Sequence, residues 1–221
     1  MGTILASTIV TTTAAILQDT GYDRWSQAEL LGYLNSIQKL AVLLKPNIYV
    51  TNEAVVCVAG TKQTIPSTGV QLINIICNMG TDGATEGRAV VKGDLDLFNV
   101  VERDWHSTTA SATTELFFFD GQDPKVFYVY PPQPSSSPGY LLLAYSAIPS
   151  DVLIGGAISL DDIYEDAIKN GILYLAYSRD TDALSQDQAR MYFELFVSQL
   201  GRRDLVEKQY KPRKGEDRDG V

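Results

Sequence analysis

Chemistry, if this chain performs any, has few places to start. The single histidine, His106, sits in the run D-W-H-S beside Trp105 and Ser107, with Asp104 in reach as an orienting group for a basic imidazole. Neighbouring residues of an extended chain point to opposite faces, so this spacing works against a productive pair, and His106 reads as a structural or surface residue. Asp94, Asp96, Glu102 and Asp104 crowd the same region as a possible metal or acid-base cluster, but in a turn-rich segment they read as solvated loop charges. Cys57 and Cys77 form no CxxC pair and lie in apolar, strand-like surroundings, which favours buried free thiols over a disulfide. The glycine-rich run GTDGATEG, Gly80 to Gly87, lacks the lysine and the strand-to-helix setting of a phosphate loop and reads as a turn. There is no serine nucleophile elbow, zinc signature or calcium loop. No catalytic, cofactor-binding or metal residue is assigned, and the chain reads as something other than an enzyme.

The elements that would hold any site are clearer than the site itself. A first helix is expected over Ile4 to Leu17, with Gly21 just beyond it, although Thr8, Thr11, Thr12 and Thr13 give its middle mediocre propensity, so packing must stabilise it. WSQAELLGYLNSIQKLAVLLKP is a stronger helix. Ser26 and Glu29 have capping-box spacing, Trp25 takes the preceding staple position, and Leu30, Leu34, Ile37, Ala41 and Leu44 share one face until Pro46. Later, Ser159 and Asp162 predict the cap of a third helix through Tyr177, interrupted by Gly171. Ser185 and Gln188 predict the cap of a fourth, whose stripe runs from Ala189 to Leu200 with Gly201 as a kink or cap.

Between these pairs the pattern changes. Glu53 to Ile158 holds seven of the nine prolines and ten of the 17 glycines, placed between short apolar runs such as VVCV, LINIIC, LFFF, FYVY and YLLLAY. Such punctuation predicts antiparallel strands joined by turns. In LFFFDGQDPKVFYVYPP, Leu116 to Pro132, the DGQDP turn joins two strands. Phe127 and Val129 alternate with Tyr128 and Tyr130, so one face can enter a core while the tyrosines line the other, and Pro131 and Pro132 stop the ladder. Aromatic surplus of this kind serves either internal packing or a subunit contact.

Charge divides the chain. Residues 1 to 201 carry 11 Lys or Arg against 22 Asp or Glu, whereas residues 202 to 221 carry 7 against 5. An acidic body repels nucleic acid, which argues against tight DNA binding. No apolar run is long enough for a membrane helix, and the first thirty residues lack the pattern of a secretory signal, so a soluble protein made without export is expected. The basic tail residues Arg202, Arg203, Lys208, Lys211, Arg213 and Lys214 admit three readings: plain solvation, docking to a protein, or DNA contact. The polar end reads as an arm that a partner orders.

The phrases WSQAELLGYLNSIQKLAVLLKP, GTKQTIP, FYVYPP and SLDDIYEDAIKNGILYLAYSRD, in that order, resemble the head-to-tail adaptors of tailed phages. More narrowly, they resemble the adaptor or tail-tubular protein A of short-tailed phages (podoviruses), over about Leu17 to Gly201. The expected fold is α+β. N- and C-terminal helices (1–50 and 159–203) form a helical bundle around a long β-rich antiparallel insertion (51–158), followed by an extended arm (204–221). The resemblance implies a structural virion protein at the head-tail junction, synthesised and assembled in the bacterial host cytoplasm. As a homo-oligomeric, dodecameric ring it would join the portal protein to the tail nozzle protein, with tail fibres a further partner. Genomic double-stranded DNA would pass its channel without sequence-specific binding during retention and ejection. The resemblance brings no catalytic residue, cofactor, metal or membrane contact. Arg202, Arg203, Lys208, Tyr210, Lys211, Arg213 and Lys214 are then the portal-docking candidates, and Trp25, Tyr128, Tyr130 and Tyr140 the candidates for subunit or tail contacts. Two alternatives stand beside this reading: a related tail-completion or portal-accessory protein with another attachment point, and a small enzyme with an acidic site.

Overall fold

The computed structural model describes residues 2–179 and 183–210, with side chains up to residue 201. In chain order the elements are helices α1 (Ala6–Ile16) and α2 (Gln27–Leu44), then strands β1 (Val50–Val56), β2 (Gly60–Thr64), β3 (Gly69–Asn78) and β4 (Val91–Lys92). Helix α3 (Leu95–Val101) precedes strands β5 (Leu116–Phe119), β6 (Val126–Gln133) and β7 (Tyr140–Ala147), and helices α4 (Glu165–Ser178) and α5 (Ala183–Tyr210) close the order. The fold is α+β, with terminal helices and a β-rich insertion. Two compact units result: Met1–Ala41 with Ser150–Val221, and Val42–Pro149.

In the helical unit the N-terminal and C-terminal helices meet. Gly171 brings α4 so close to α2 that a Cβ there would lie 2.5 Å from Ile37 Cγ2. Glu29 of α2 accepts from Tyr33 and pairs with Arg179 beyond α4. Helix α4 packs against both α1 and α5, and Tyr177 and Tyr192 stack with centroids 5.6 Å apart. Segment 150–159 also belongs to this unit. Asn35 brackets Val152 by donating to its carbonyl (3.2 Å) and accepting its amide (2.9 Å), while Gln38 Oε1 accepts the Ser159 amide at 2.7 Å. Leu5 pairs with Ala157 as an isolated β-bridge.

Helix ends show where local sequence and tertiary demands diverge. The Ser26 cap forms, its hydroxyl accepting the Glu29 amide at 3.2 Å. The left-handed residue that ends α1 is Gln18 (φ 57°) rather than Gly21, and the next amide, that of Asp19, returns to the Ala14 carbonyl at 2.9 Å. The Asp19 carboxylate gathers the amides of Asp23, Arg24 and Trp25. Ser159 caps nothing: its amide is taken by Gln38 and its hydroxyl by the Ser150 carbonyl, so α4 starts at Glu165 after a short 3₁₀ turn, Asp162–Tyr164, capped by Asp161. Ser185 lies inside α5, and Gly201 does not end that helix, which runs on to Tyr210.

The second unit is a β-sandwich. One sheet has the order β1-β7-β3, wholly antiparallel, and the other β2-β6-β5-β4, antiparallel except for the two-residue β4. Leu72 and Ile75 of β3, Leu141, Leu143 and Tyr145 of β7, Phe117 of β5, and Phe127 and Val129 of β6 form one apolar core, joined by the free, buried Cys57. Cys77 is also free and buried. The β5-β6 register sets Phe117 opposite Val129 and Phe118 opposite Tyr128. Tyr130 and Pro131 are joined by a cis peptide, yet Pro131 and Pro132 do not end β6: the strand continues to Gln133, which pairs with Gly60 past a register shift in β2.

Candidate functional site

The outer face of the four-stranded sheet carries the densest group of chemically interesting side chains, and they are held by an element hidden in the sequence pattern. Asp94 accepts the Leu97 amide at 3.1 Å and so starts α3, which lays Phe98 onto the sheet. Phe98 meets Phe118 and Tyr130 at 5.0 Å each and Trp105 at 5.7 Å, so a second aromatic layer covers the face opposite the sandwich core. Trp105 is buried and donates its indole N–H to Asn99 Oδ1 at 2.9 Å. The alternation in FYVY therefore resolves as expected, with Phe127 and Val129 inward and Tyr128 and Tyr130 on the other face.

A cavity of about 260 Å³ opens beside this layer, lined by Leu95, Asn99, Trp105, His106, Asp120 and Tyr128. His106 stacks on Trp105 with centroids 3.8 Å apart, and its Nδ1 shares a 2.8 Å hydrogen bond with the Thr61 hydroxyl. The amides of Gln122 and Asp123 hold the Asp120 carboxyl below the usual carboxylate range, against the opposing effect of desolvation. Desolvation, and then the Asp120 charge, push the Tyr128 phenol up, so it stays protonated and donates to Asp120 at 3.3 Å. These contacts make a braced cluster in which the imidazole is a packing element. The acidic residues that accompany it in sequence are dispersed by the backbone: Asp94 caps α3, Asp96 sits in its first turn and Glu102 at its end. Among the described residues no group of three or more His, Cys, Asp or Glu could hold a metal ion.

Surface rather than cleft is the more prominent feature. On α3, Leu97, Val100 and Val101 remain 65, 70 and 68% exposed. Solvated helix faces normally carry polar residues, so these exposed apolar side chains stand out on a helix anchored by Phe98.

Of the contact candidates, Trp25 is 3% exposed, its amide bound by Asp19 and its ring covered by the Arg24 guanidinium at 4.5 Å, so it offers a neighbour almost no area. Tyr128 and Tyr130 are partly exposed at the aromatic layer, and Tyr140 packs its ring against Gly83. Of the tail candidates, the backbone of Arg202, Arg203, Lys208 and Tyr210 belongs to α5, while Lys211, Arg213 and Lys214 lie outside the described residues. Sequence reasoning missed α3 and its exposed stripe. The one usable signal was Asp94 placed three residues before Leu97, an N-cap spacing within a run that otherwise reads as loop.

The family described as SU10 adaptor protein matches residues 5–217. No curated protein matches the chain. With nearly its whole length matched, the chain belongs to the SU10 adaptor protein family, structural proteins of the bacteriophage head-to-tail junction.

Proposed function

We propose that this member of the SU10 adaptor protein family assembles into a ring between the portal and the tail nozzle of a short-tailed phage and extends the DNA channel through which the genome leaves. Family membership carries the proposal. Two features of the fold support it. The helical unit packs the N-terminal helices with α4 and α5 of the C-terminal part into one body. The apolar stripe of α3 is unused by its own unit, as expected of a subunit whose burial is completed by neighbours. The net charge of −9 also suits a conduit, because an acidic wall opposes adhesion of the passing phosphate backbone.

Arg202, Arg203, Lys208, Tyr210, Lys211, Arg213 and Lys214 are the proposed portal-docking residues, and Tyr128, Tyr130 and Tyr140 the proposed subunit or tail contacts. Electron microscopy of the purified protein mixed with the portal of the same phage tests the reading, with a ring coaxial with the portal as the expected result. A protein that stays monomeric and unbound under these conditions refutes it. Removing Lys211 to Val221 is expected to weaken portal binding while the melting temperature stays unchanged; equal portal affinity with and without the segment removes the tail from the docking surface.

A further inference from the structure

Strand β1 has one neighbour, and its other edge is open. Tyr49 and Cys57 bracket the strand: the Tyr49 carbonyl accepts the Ala147 amide at 3.0 Å, and the Cys57 amide donates to the Gly139 carbonyl at 2.9 Å. Between them β1 pairs with β7 without a register shift, from Val50 opposite Ser146 to Val56 opposite Tyr140. Antiparallel bonding returns to the same neighbour at every second residue, so Thr51, Glu53 and Val55 bond to β7, while Val50, Asn52, Ala54 and Val56 aim their N–H and C=O groups the other way. Among the described residues no other strand pairs there, and Val50, Asn52 and Val56 are exposed. The seven residues make an edge about 24 Å long.

The other edges of the sandwich are guarded. Strand β2 carries Lys62 and shifts register between Gly60 and Lys62, and β4 has only two residues. Strand β3 is bonded by other segments at three points: the Leu72 amide donates to the Pro124 carbonyl at 3.0 Å, the Val90 amide to the Ile76 carbonyl at 3.4 Å and the Asn78 amide to the Arg88 carbonyl at 3.0 Å. By contrast the β1 sequence, VTNEAVV, holds no proline, glycine or lysine, and its pairing has no bulge. Its single charge is turned onto its own sheet, where the Glu53 carboxylate accepts the Tyr145 hydroxyl. A long, regular, unguarded edge is a template for one more strand, since its outward N–H and C=O groups match those of an extended backbone.

We infer that β1 receives an extended segment of the tail nozzle protein as an added strand. A second copy of β1 is a poor occupant. Antiparallel pairing of all seven residues about a two-fold axis sets Glu53 opposite Glu53, and it closes a dimer where a ring needs two different faces. The remaining strands, with guarded edges, offer a neighbouring copy nothing of comparable length. The register sets Val56 beside Tyr140, one of the proposed tail contacts, so the open edge continues that surface, whereas the portal-docking candidates of α5 belong to the other unit. Charge and shape state the partner's sequence: β-branched or aromatic residues beside Val50, Ala54 and Val56, and a lysine or arginine facing Glu53. Main-chain bonds supply the attachment and these side chains the choice of segment. The inference rests on the ring reading above and adds the surface that the tail protein takes.

Proline placement tests it in the full-length chain. Ala54→Pro removes an N–H that points to the open side and keeps every bond to β7, the position proline takes on natural edge strands. It should leave the melting temperature near that of the wild type and weaken binding to the nozzle protein of the same phage by about tenfold or more. Val55→Pro, which removes a bond to β7, should instead lower the melting temperature sharply. Amide exchange of the wild type, read residue by residue, is a second measure that needs no variant to fold. Asn52, Ala54 and Val56 should exchange fast in the free protein and about 100-fold more slowly in the complex with portal and nozzle proteins, with Glu53 and Val55 slow in both. Alternate amides that stay fast in that complex, or an unchanged nozzle affinity for a folded Ala54→Pro, overturn the inference and leave the ring reading intact. Protection of these amides in rings formed without the nozzle protein overturns it in favour of pairing between copies. Wild-type protein that forms no ring with its portal defeats both readings.

Discussion

Gly171→Ala should destabilise the protein, and the same substitution should stabilise it once Ile37 is shortened. In the interior of a helix, alanine is favoured over glycine by about 1 kcal/mol. In α4 the added Cβ would stand 2.5 Å from Ile37 Cγ2, 2.9 Å from its Cδ1 and 3.0 Å from its Cγ1. Carbon atoms prefer separations of about 3.5–4.0 Å, so one helix must move by roughly 1 Å or Ile37 must leave its rotamer. Overpacking of this kind costs about 1–3 kcal/mol, which outweighs the propensity gain and leaves a net loss of about 1 kcal/mol.

Ile37→Ala alone should cost about 2–5 kcal/mol, because it empties a buried site at the α2-α4 contact. It also removes all three clashing carbons, so Gly171→Ala in that background should gain about 1 kcal/mol, with part of the cavity refilled. The resulting coupling of about 2 kcal/mol, with a change of sign, is large for a pair of residues. Each unit holds one of the two tryptophans, so Trp105→Phe leaves Trp25 as the reporter of the helical unit in urea denaturation. If Gly171→Ala stabilises the protein equally in both backgrounds, α2 and α4 do not approach as described, and the scaffold joining the two ends of the chain is wrong.

Asp19 is held below the usual carboxylate range, first by the Trp25 amide and then by those of Asp23 and Arg24, with desolvation opposing. A folded-state value below the unfolded one means its contribution is complete above about pH 4 and is lost as pH falls through the depressed folded value, so the stability gap between wild type and Asp19→Asn should be widest near neutrality and shrink in acid, as pH-dependent urea titrations would reveal. Asp162, lowered by the Thr3 hydroxyl and then by the amides of Thr3 and Ile4, should follow the same sign when Asp162→Asn is titrated. Phe98→Ala should cost about 3 kcal/mol or somewhat less, given that the ring is half-buried, and should release α3 selectively; hydrogen exchange should rise at 95–101 while the β7 amides stay protected. Burial pushes the Cys57 thiol up to about 12, so maleimide at pH 8 should modify it only after unfolding, and fast labelling of native protein would contradict its place in the sandwich core.

The parts of the fold that were legible in the sequence are those where one periodic signal had one cause. Helix α2 has a Ser26 cap and a single buried stripe, and β6 alternates Phe127 and Val129 against Tyr128 and Tyr130, so pattern and structure coincide. Elsewhere a distant group outbid the local signal. Gln38 takes the amide of Ser159 across 121 residues of chain, which turns an apparent helix cap into a tether and delays α4 by several residues. Asp162, expected to complete that cap, instead clasps Thr3 and Ile4 across the unit. Helix α3 was missed because its seven residues alternate too little to suggest a helix and carry apolar side chains outward as well as inward.

The same property hides assembly surfaces from pattern reading in general. Periodicity identifies a helix by contrast between an apolar side and a polar side, and a subunit that must be packed by its own core and again by a neighbour loses that contrast. On α5, Phe196 and Leu200 face inward while Met191 and Leu195 face outward; on α1, threonine supplies an outer face that is neither clearly polar nor clearly apolar. Weak amphipathicity in a helix that is long, regular and free of proline is therefore a signal in its own right. In this chain it falls on α5, where Leu184, Met191 and Leu195 stay exposed while Phe196 and Leu200 are buried, so periodicity alone does not say which face of that helix packs within the subunit.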